Sequence, residues 1–189
     1  MATARITWQD LQQAPDDGKR REAIGGGLYV TPAPSVRHQI VSKRLERALY
    51  RLLEDPGHGQ VFHAPIGVEF PATGEGVQPD LLFVSEERRG IVARAWLKGA
   101  PDLVVEILSP STEERDRSLK RDLYERQGVG EYWIVDPDED AVEVWRFGPE
   151  GAPDDAPPHQ QRFTGSLPVR LRGDVVGEID LEEVFRPGG

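Results

Sequence analysis

Cysteine is absent from all 189 residues of the chain. Disulfides, thiolate nucleophiles and cysteine-ligated zinc are therefore excluded. The four histidines offer no substitute. His58, His63 and His159 lack the spacing of a zinc site, and a lone His38 reads first as a structural residue. No apolar run approaches the roughly 20 residues of a membrane helix. The glycines at 25–27 are not followed by Gly-Lys-Ser/Thr, so they form no phosphate loop, and no nucleophile elbow occurs. Positive charge is also short: 23 Lys and Arg stand against 33 Asp and Glu, a net charge of −10. Phosphate neutralisation makes constitutive nucleic-acid binders basic, so this balance argues against tight general DNA binding. It leaves room for an enzyme with a local basic strip and a bound cation. Met1-Ala2-Thr3-Ala4-Arg5 has no apolar signal segment, and a cytoplasmic location is the expectation.

What is present reads as one domain spanning 1–189, with 38% hydrophobic and 30% charged residues. Thr7 caps a short helix over 7–14 that Pro15 stops. A hairpin over 20–33 turns at Gly25-Gly26-Gly27. Ser35 caps a helix to about Glu54, with Val41, Leu45, Leu49 and Leu52 in its apolar stripe. Strands are expected over 60–70, 77–85 and 102–108, with a charged connection over 86–97 that holds a short helix. Ser111 and Glu114 have the spacing of a capping box for a helix running to Gln127. A hairpin over 131–147 and a Pro- and Gly-rich mobile loop over 148–160 precede short C-terminal strands and Leu181–Phe185. The order indicates an α/β fold, a mixed sheet flanked by helices.

One residue is out of place. In Asp102-Leu103-Val104-Val105-Glu106-Ile107-Leu108, Glu106 interrupts a run suited to a buried strand. Alternation sets Val104, Glu106 and Leu108 on one face. A buried carboxylate needs a cation, a hydrogen-bond network or a solvent-filled cleft. The rival reading is an edge-strand glutamate facing water. Asp80, after Pro79, opens the apolar run 81–84 in the same manner, against the rival of a turn aspartate. On adjacent strands the two carboxylates would repel, and oxygen ligands favour magnesium or manganese between them. By spacing alone, Lys120 reads first as an exposed pair with Asp116 at i−4; the functional reading sets it over a phosphate. The basic residues of the two main helices, Arg37, Lys43, Arg44, Arg47 and Arg51, then Arg115, Arg117, Lys120, Arg121 and Arg126, read first as solvated faces.

These motifs resemble the Uma-type family of restriction-endonuclease-like proteins. Pro101–Thr112 is very similar to its central strand and turn, and Asp116, Lys120, Tyr124, Gly128-Val129 and Glu131–Pro137 continue the pattern. Upstream, Glu22, Gly26, Pro34-Ser35 and His38-Gln39 match its opening, and Val77-Gln78-Pro79-Asp80-Leu81 its first strand motif. The resemblance covers about residues 7–147. It implies a branch of the PD-(D/E)XK nuclease superfamily: a restriction endonuclease-like sheet and a magnesium-dependent DNA cleavage site. Asp80 and Glu106 would then ligate metal, with Glu22 as an early acidic residue joining them. The superfamily lysine two residues after the acid is replaced by Leu108, and Lys120 matches a lysine that this family places on the next helix. His38, Gln39, Asp116 and Tyr124 would stand around the site.

The resulting expectation is an endonuclease acting on DNA with magnesium or manganese, in which a homodimer could cut both strands. The rival is a catalytically inactive nuclease-fold module for DNA or protein binding, favoured by the acidity and the displaced lysine. A third reading makes the 131–147 hairpin a dimer contact through Trp133 and Trp145, although core burial is the commoner fate of tryptophan.

Overall fold

The computed structural model describes residues 5–15, 17–147 and 159–187. Helix α1 (Trp8–Gln13) starts at a reciprocal cap. The Thr7 hydroxyl accepts the Asp10 N–H, and the Thr7 N–H donates back to the Asp10 carboxylate at 2.9 Å. Strands β1 (Arg20–Ile24) and β2 (Gly27–Thr31) form the expected hairpin. Its two turn residues, Gly25 and Gly26, have φ of 60° and 84°, the left-handed pair that a tight hairpin demands. Ser35 accepts the His38 N–H and opens α2 (Val36–Leu49), which continues through a π-helical turn over Tyr50–Glu54.

The stretches expected as two long strands are four short ones: β3 (Gly59–His63), β4 (Val68–Phe70), β5 (Glu75–Val77) and β6 (Leu81–Ser85). Pro65 and Gly67 break the first stretch, and Pro79 breaks the second just before Asp80. The charged connection holds a 3₁₀ turn over Glu86–Ile91, followed by β7 (Leu97–Lys98) and β8 (Leu103–Ile107). The next helix runs unbroken as α3 (Glu113–Arg115), a π-helical segment (Asp116–Lys120) and α4 (Arg121–Arg126). No Ser111–Glu114 box forms. Ser109 Oγ instead meets the hydroxyls of Ser111 and Thr112 at 3.2 and 3.0 Å. Strands β9 (Glu131–Asp136) and β10 (Ala141–Arg146) form the second expected hairpin. Of the expected loop over 148–160, residues 159 and 160 belong to β11 (His159–Phe163), and 148–158 lie outside the described residues. The chain ends with β12 (Ser166–Leu171), β13 (Asp174–Asp180) and α5 (Leu181–Phe185).

A mixed six-stranded sheet, in the order β11-β10-β9-β8-β6-β3, is the centre of the molecule. Its β8–β9 pair is parallel and the others are antiparallel. One face carries Leu81, Phe83, Val105, Ile107 and Trp133 against Val41, Leu45, Leu49 and Leu53 of α2 and its extension. The C-terminal hairpin and α5 close that side. The opposite face carries Leu82, Val84, Val104 and Ile134 against Leu123 and Tyr124 of α4 and against Ile24, Val68 and Val77. Those last three belong to a second sheet, ordered β2-β1-β5-β4-β7. β8 is thus central, which removes the edge-strand reading of Glu106. The 131–147 hairpin is paired on both sides, by β8 and β11, and Trp133 is fully buried. Trp145 is half-buried, with the Arg121 guanidinium 5.0 Å from its ring. A dimer contact through these two rings does not fit that packing.

Gly76 of β5 faces the buried Trp8 indole so closely that a Cβ there would lie 2.5 Å from Cδ2 and 2.7 Å from Trp8 Cβ. Gly76→Ala is expected to destabilise the protein by about 1–3 kcal/mol, as overpacking does. Urea unfolding of the variant against wild type measures this, and an unchanged midpoint would show that the indole moves aside freely.

Candidate active site

Two strand ends build the centre of the site. β6 and β8 pair antiparallel with Leu81 opposite Val105 and Leu82 opposite Val104. Asp80 stands just before Leu81 and Glu106 just after Val105, with Glu106 on the face away from α2. The backbone ladder stops there, and Asp80 itself supplies the next acceptor, since the Ile107 N–H donates to Asp80 Oδ2 at 2.9 Å. His38, one turn into α2, approaches the same oxygen through Nε2 at 3.1 Å. Arg20 donates from NH1 to Asp80 Oδ1 at 2.8 Å and also bonds the Gln78 carbonyl. Burial alone would raise the Asp80 carboxyl, but the His38 hydrogen bond, the Arg20 and His38 charges and the Ile107 N–H hold it well below the usual range.

Glu106 has a different environment. Its Oε1 accepts from Lys120 Nζ at 2.9 Å and from the Tyr124 hydroxyl at 2.7 Å. Its Oε2 has no hydrogen bond among the described residues. Burial pushes the Glu106 carboxyl up to about 8; Lys120 opposes the rise, and the charges of Asp116, Asp80 and Glu22 add to it. Lys120 is 1% exposed and also stands 2.9 Å from Glu22 Oε1 and 3.6 Å from Asp116 Oδ1. Burial would lower its ammonium, but the carboxylates of Glu106, Glu22 and Asp116 outweigh that and hold it above the usual lysine range. The exposed Asp116–Lys120 pair is therefore not what forms. The π-helical turn over Asp116–Lys120 carries both residues in the interior, and Asp116 is likewise pushed up, first by burial.

Glu22 is fully buried, and its Oε1 also accepts the Gln78 N–H at 3.0 Å, so it ties β1 and the segment before Asp80 to Lys120. Its Oε2 lies 3.9 Å from Arg115 NH2 and has no hydrogen bond among the described residues. Glu22 and Tyr124 sit behind the site; Asp80, Glu106, Lys120, Asp116 and His38 line a cleft of about 480 Å³. Gln39 is exposed and takes no part in this network. Of the basic residues, Arg37 and Arg115 also reach the cleft wall, whereas Lys43, Arg47 and Arg51 remain on solvated faces. Arg20 was not singled out by the sequence reading. Its signal was available, because Arg20 and Glu22, two apart on one strand, share a face.

The donor chemistry suits a hard divalent cation: two carboxylates of one cleft wall, one oxygen of Glu106 still unengaged, and a crowding of acids that a cation would relieve. The oxygens of Asp80, however, already hold three donors. Among the described residues no group of three His, Asp or Glu side chains is arranged to take a metal ion. The residues fit such an ion, provided that Asp80 Oδ1 is released.

The fold is that of a restriction endonuclease-like protein. Residues 8–173 match the Uma2 family, described as "Putative restriction endonuclease", and the chain belongs to that family. The uncharacterized protein slr1290 of Synechocystis sp. (strain ATCC 27184 / PCC 6803 / Kazusa) is 24% identical over 147 residues, 77% of this chain and 73% of the relative. The crystal structure of a "putative nuclease belonging to DUF820" from Anabaena variabilis superposes with a TM-score of 0.76 at 19% identity, covering 95% of this chain and 97% of that one. That likeness shows a shared fold, the restriction endonuclease-like mixed sheet flanked by helices. No helix among the described residues is long and apolar enough to cross a membrane.

Proposed function

We propose that the protein is a metal-dependent endonuclease that hydrolyses DNA phosphodiester bonds in the Asp80–Glu106 cleft. The carrying observation is that these two buried carboxylates, at the neighbouring ends of paired strands, line one cleft in a chain of a restriction-endonuclease family. Asp80 and Glu106 would hold a magnesium or manganese ion, which would supply charge opposite to that developing on the phosphate and lower the pKa of water. A water would attack phosphorus and give up its proton to solvent, and the P–O3′ bond would break with the 3′ oxygen taking a proton from solvent. Lys120 is charged throughout the neutral range and takes up no proton, so it is not the general base. Together with Tyr124 it fixes Glu106 Oε1 and leaves Oε2 free to act. His38 and the Ile107 N–H fix Asp80 in the same way. Arg37 and Arg115 line the cleft and would add positive charge there for a phosphate. A homodimer in the cytoplasm, one site per strand, completes the proposal.

The full occupation of Asp80 by protein donors favours a second reading, a nuclease-fold module that binds DNA or protein without cutting. Supercoiled plasmid incubated with magnesium or manganese separates the two. Nicking that needs the metal and is lost in Asp80→Asn is the expected result. Folded wild-type protein that nicks no plasmid with either ion would favour the binding module.

A further inference from the structure

We propose that Arg20 is the built-in counter-cation of this site: it sits on the Asp80 oxygen that a divalent ion would take, and thereby sets how tightly the protein binds metal. The inference rests on the metal-site reading above and adds the residue that opposes it. Asp80 Oδ2 is committed to His38 Nε2 at 3.1 Å and to the Ile107 backbone N–H at 2.9 Å. Oδ1 is held by Arg20 NH1 at 2.8 Å. Arg20 is held at its tip only, by Asp80 and the Gln78 carbonyl, and its buried Nε has no partner among the described residues. Its side chain is 16% exposed and lines the cleft, so it has somewhere to go. Lys120 does not compete in this way. It shares Glu106 Oε1 with Tyr124, is pinned by Glu22 as well, and leaves Glu106 Oε2 unengaged. A guanidinium in contact with Asp80 both occupies a ligand position and repels an incoming dication. Removing that charge leaves a buried carboxylate short of a cation, which a metal ion can then supply.

The test is calorimetric titration of Mn²⁺ into the whole chain, as wild type, Arg20→Gln, Arg20→Lys and Asp80→Asn. Arg20→Gln is expected to bind Mn²⁺ at least about tenfold more tightly than wild type, and Mn²⁺ to raise its Tm by more. Asp80→Asn is expected to abolish binding. Arg20→Lys keeps the charge but not the reach or fork that spans Asp80 and the Gln78 carbonyl; it should gain less, in the same direction, and carries the test if the glutamine variant does not fold. Equal Mn²⁺ affinity in wild type and the Arg20 variants, lost in Asp80→Asn, would overturn the role of Arg20 while leaving the metal site standing. No Mn²⁺ binding by any folded variant would overturn the metal-site reading, and this inference with it.

Discussion

Lys120→Met is expected to destabilise the protein by roughly 3–5 kcal/mol, the usual effect of removing one partner from a buried ionic cluster. Methionine matches the length of lysine, so the loss is one of charge rather than volume. Three carboxylates, on Glu22, Glu106 and Asp116, stand 2.9, 2.9 and 3.6 Å from the ammonium and would lose it together. Glu106 would keep the Tyr124 hydroxyl, whereas Asp116 Oδ1 already has no hydrogen bond among the described residues. The deficit should depend on pH with a definite sign. Glu106 and Asp116 have folded pKa values raised above their unfolded ones, and the lost ammonium was the main influence opposing burial. Such groups contribute stability that is present below the unfolded pKa and lost as pH rises through the folded one. The variant should therefore keep a constant distance from wild type at low pH and fall further behind as pH rises through about 8, where Glu106 ionises beside the ammonium in wild type and has no such partner in the variant. Urea unfolding at a series of pH values measures both. A deficit under about 1 kcal/mol at every pH would match a surface pair instead.

The position of this cluster was partly legible before any coordinates. Period-two alternation around Glu106 correctly divided β8 into one apolar face and one that carries the acid, because both faces are buried and each has its own core. The Ser35 cap likewise set His38 at the first turn of α2, where it meets Asp80. Less visible was whether a charge points inward. The i, i+4 spacing of Asp116 and Lys120 is the same for an exposed pair and a buried one. Burial there follows from the pairing of β8 with β9 and from Glu22, nearly a hundred positions away, which lies in the other sheet. Arg20 escaped notice for the same reason: an arginine near a strand start is unremarkable until the long-range partner Asp80 is known. The division of 60–85 into four strands was obscured because Val, Phe and Ile recur through it, while the switch between two sheets occurs at Pro65 and Pro79.

Glu106→Gln should separate activity from stability. The amide has the shape of the protonated acid, and its carbonyl oxygen can still accept from Lys120 and Tyr124. Burial raises the Glu106 carboxyl, so the folded interior favours its neutral form more than water does. Below pH 4.5, where both side chains are neutral, folding stability should stay within about 1 kcal/mol of wild type. The sign follows from the same shift. The contribution of protonated Glu106 is fully present below the unfolded value of 4.5 and is lost as pH rises through about 8, so the variant, which cannot ionise, should gain on wild type across that window. Metal-dependent plasmid nicking should instead fall by at least about a hundredfold, since an amide is a poor ligand for magnesium and the unengaged Oε2 becomes an NH₂ group. Melting curves and nicking rates on one preparation decide the matter. A stable variant that still cuts at full rate would remove Glu106 from the reacting centre. An unstable one would mean that Lys120 needs the full negative charge of Glu106, and that the carboxylate is kept for folding before it is kept for chemistry.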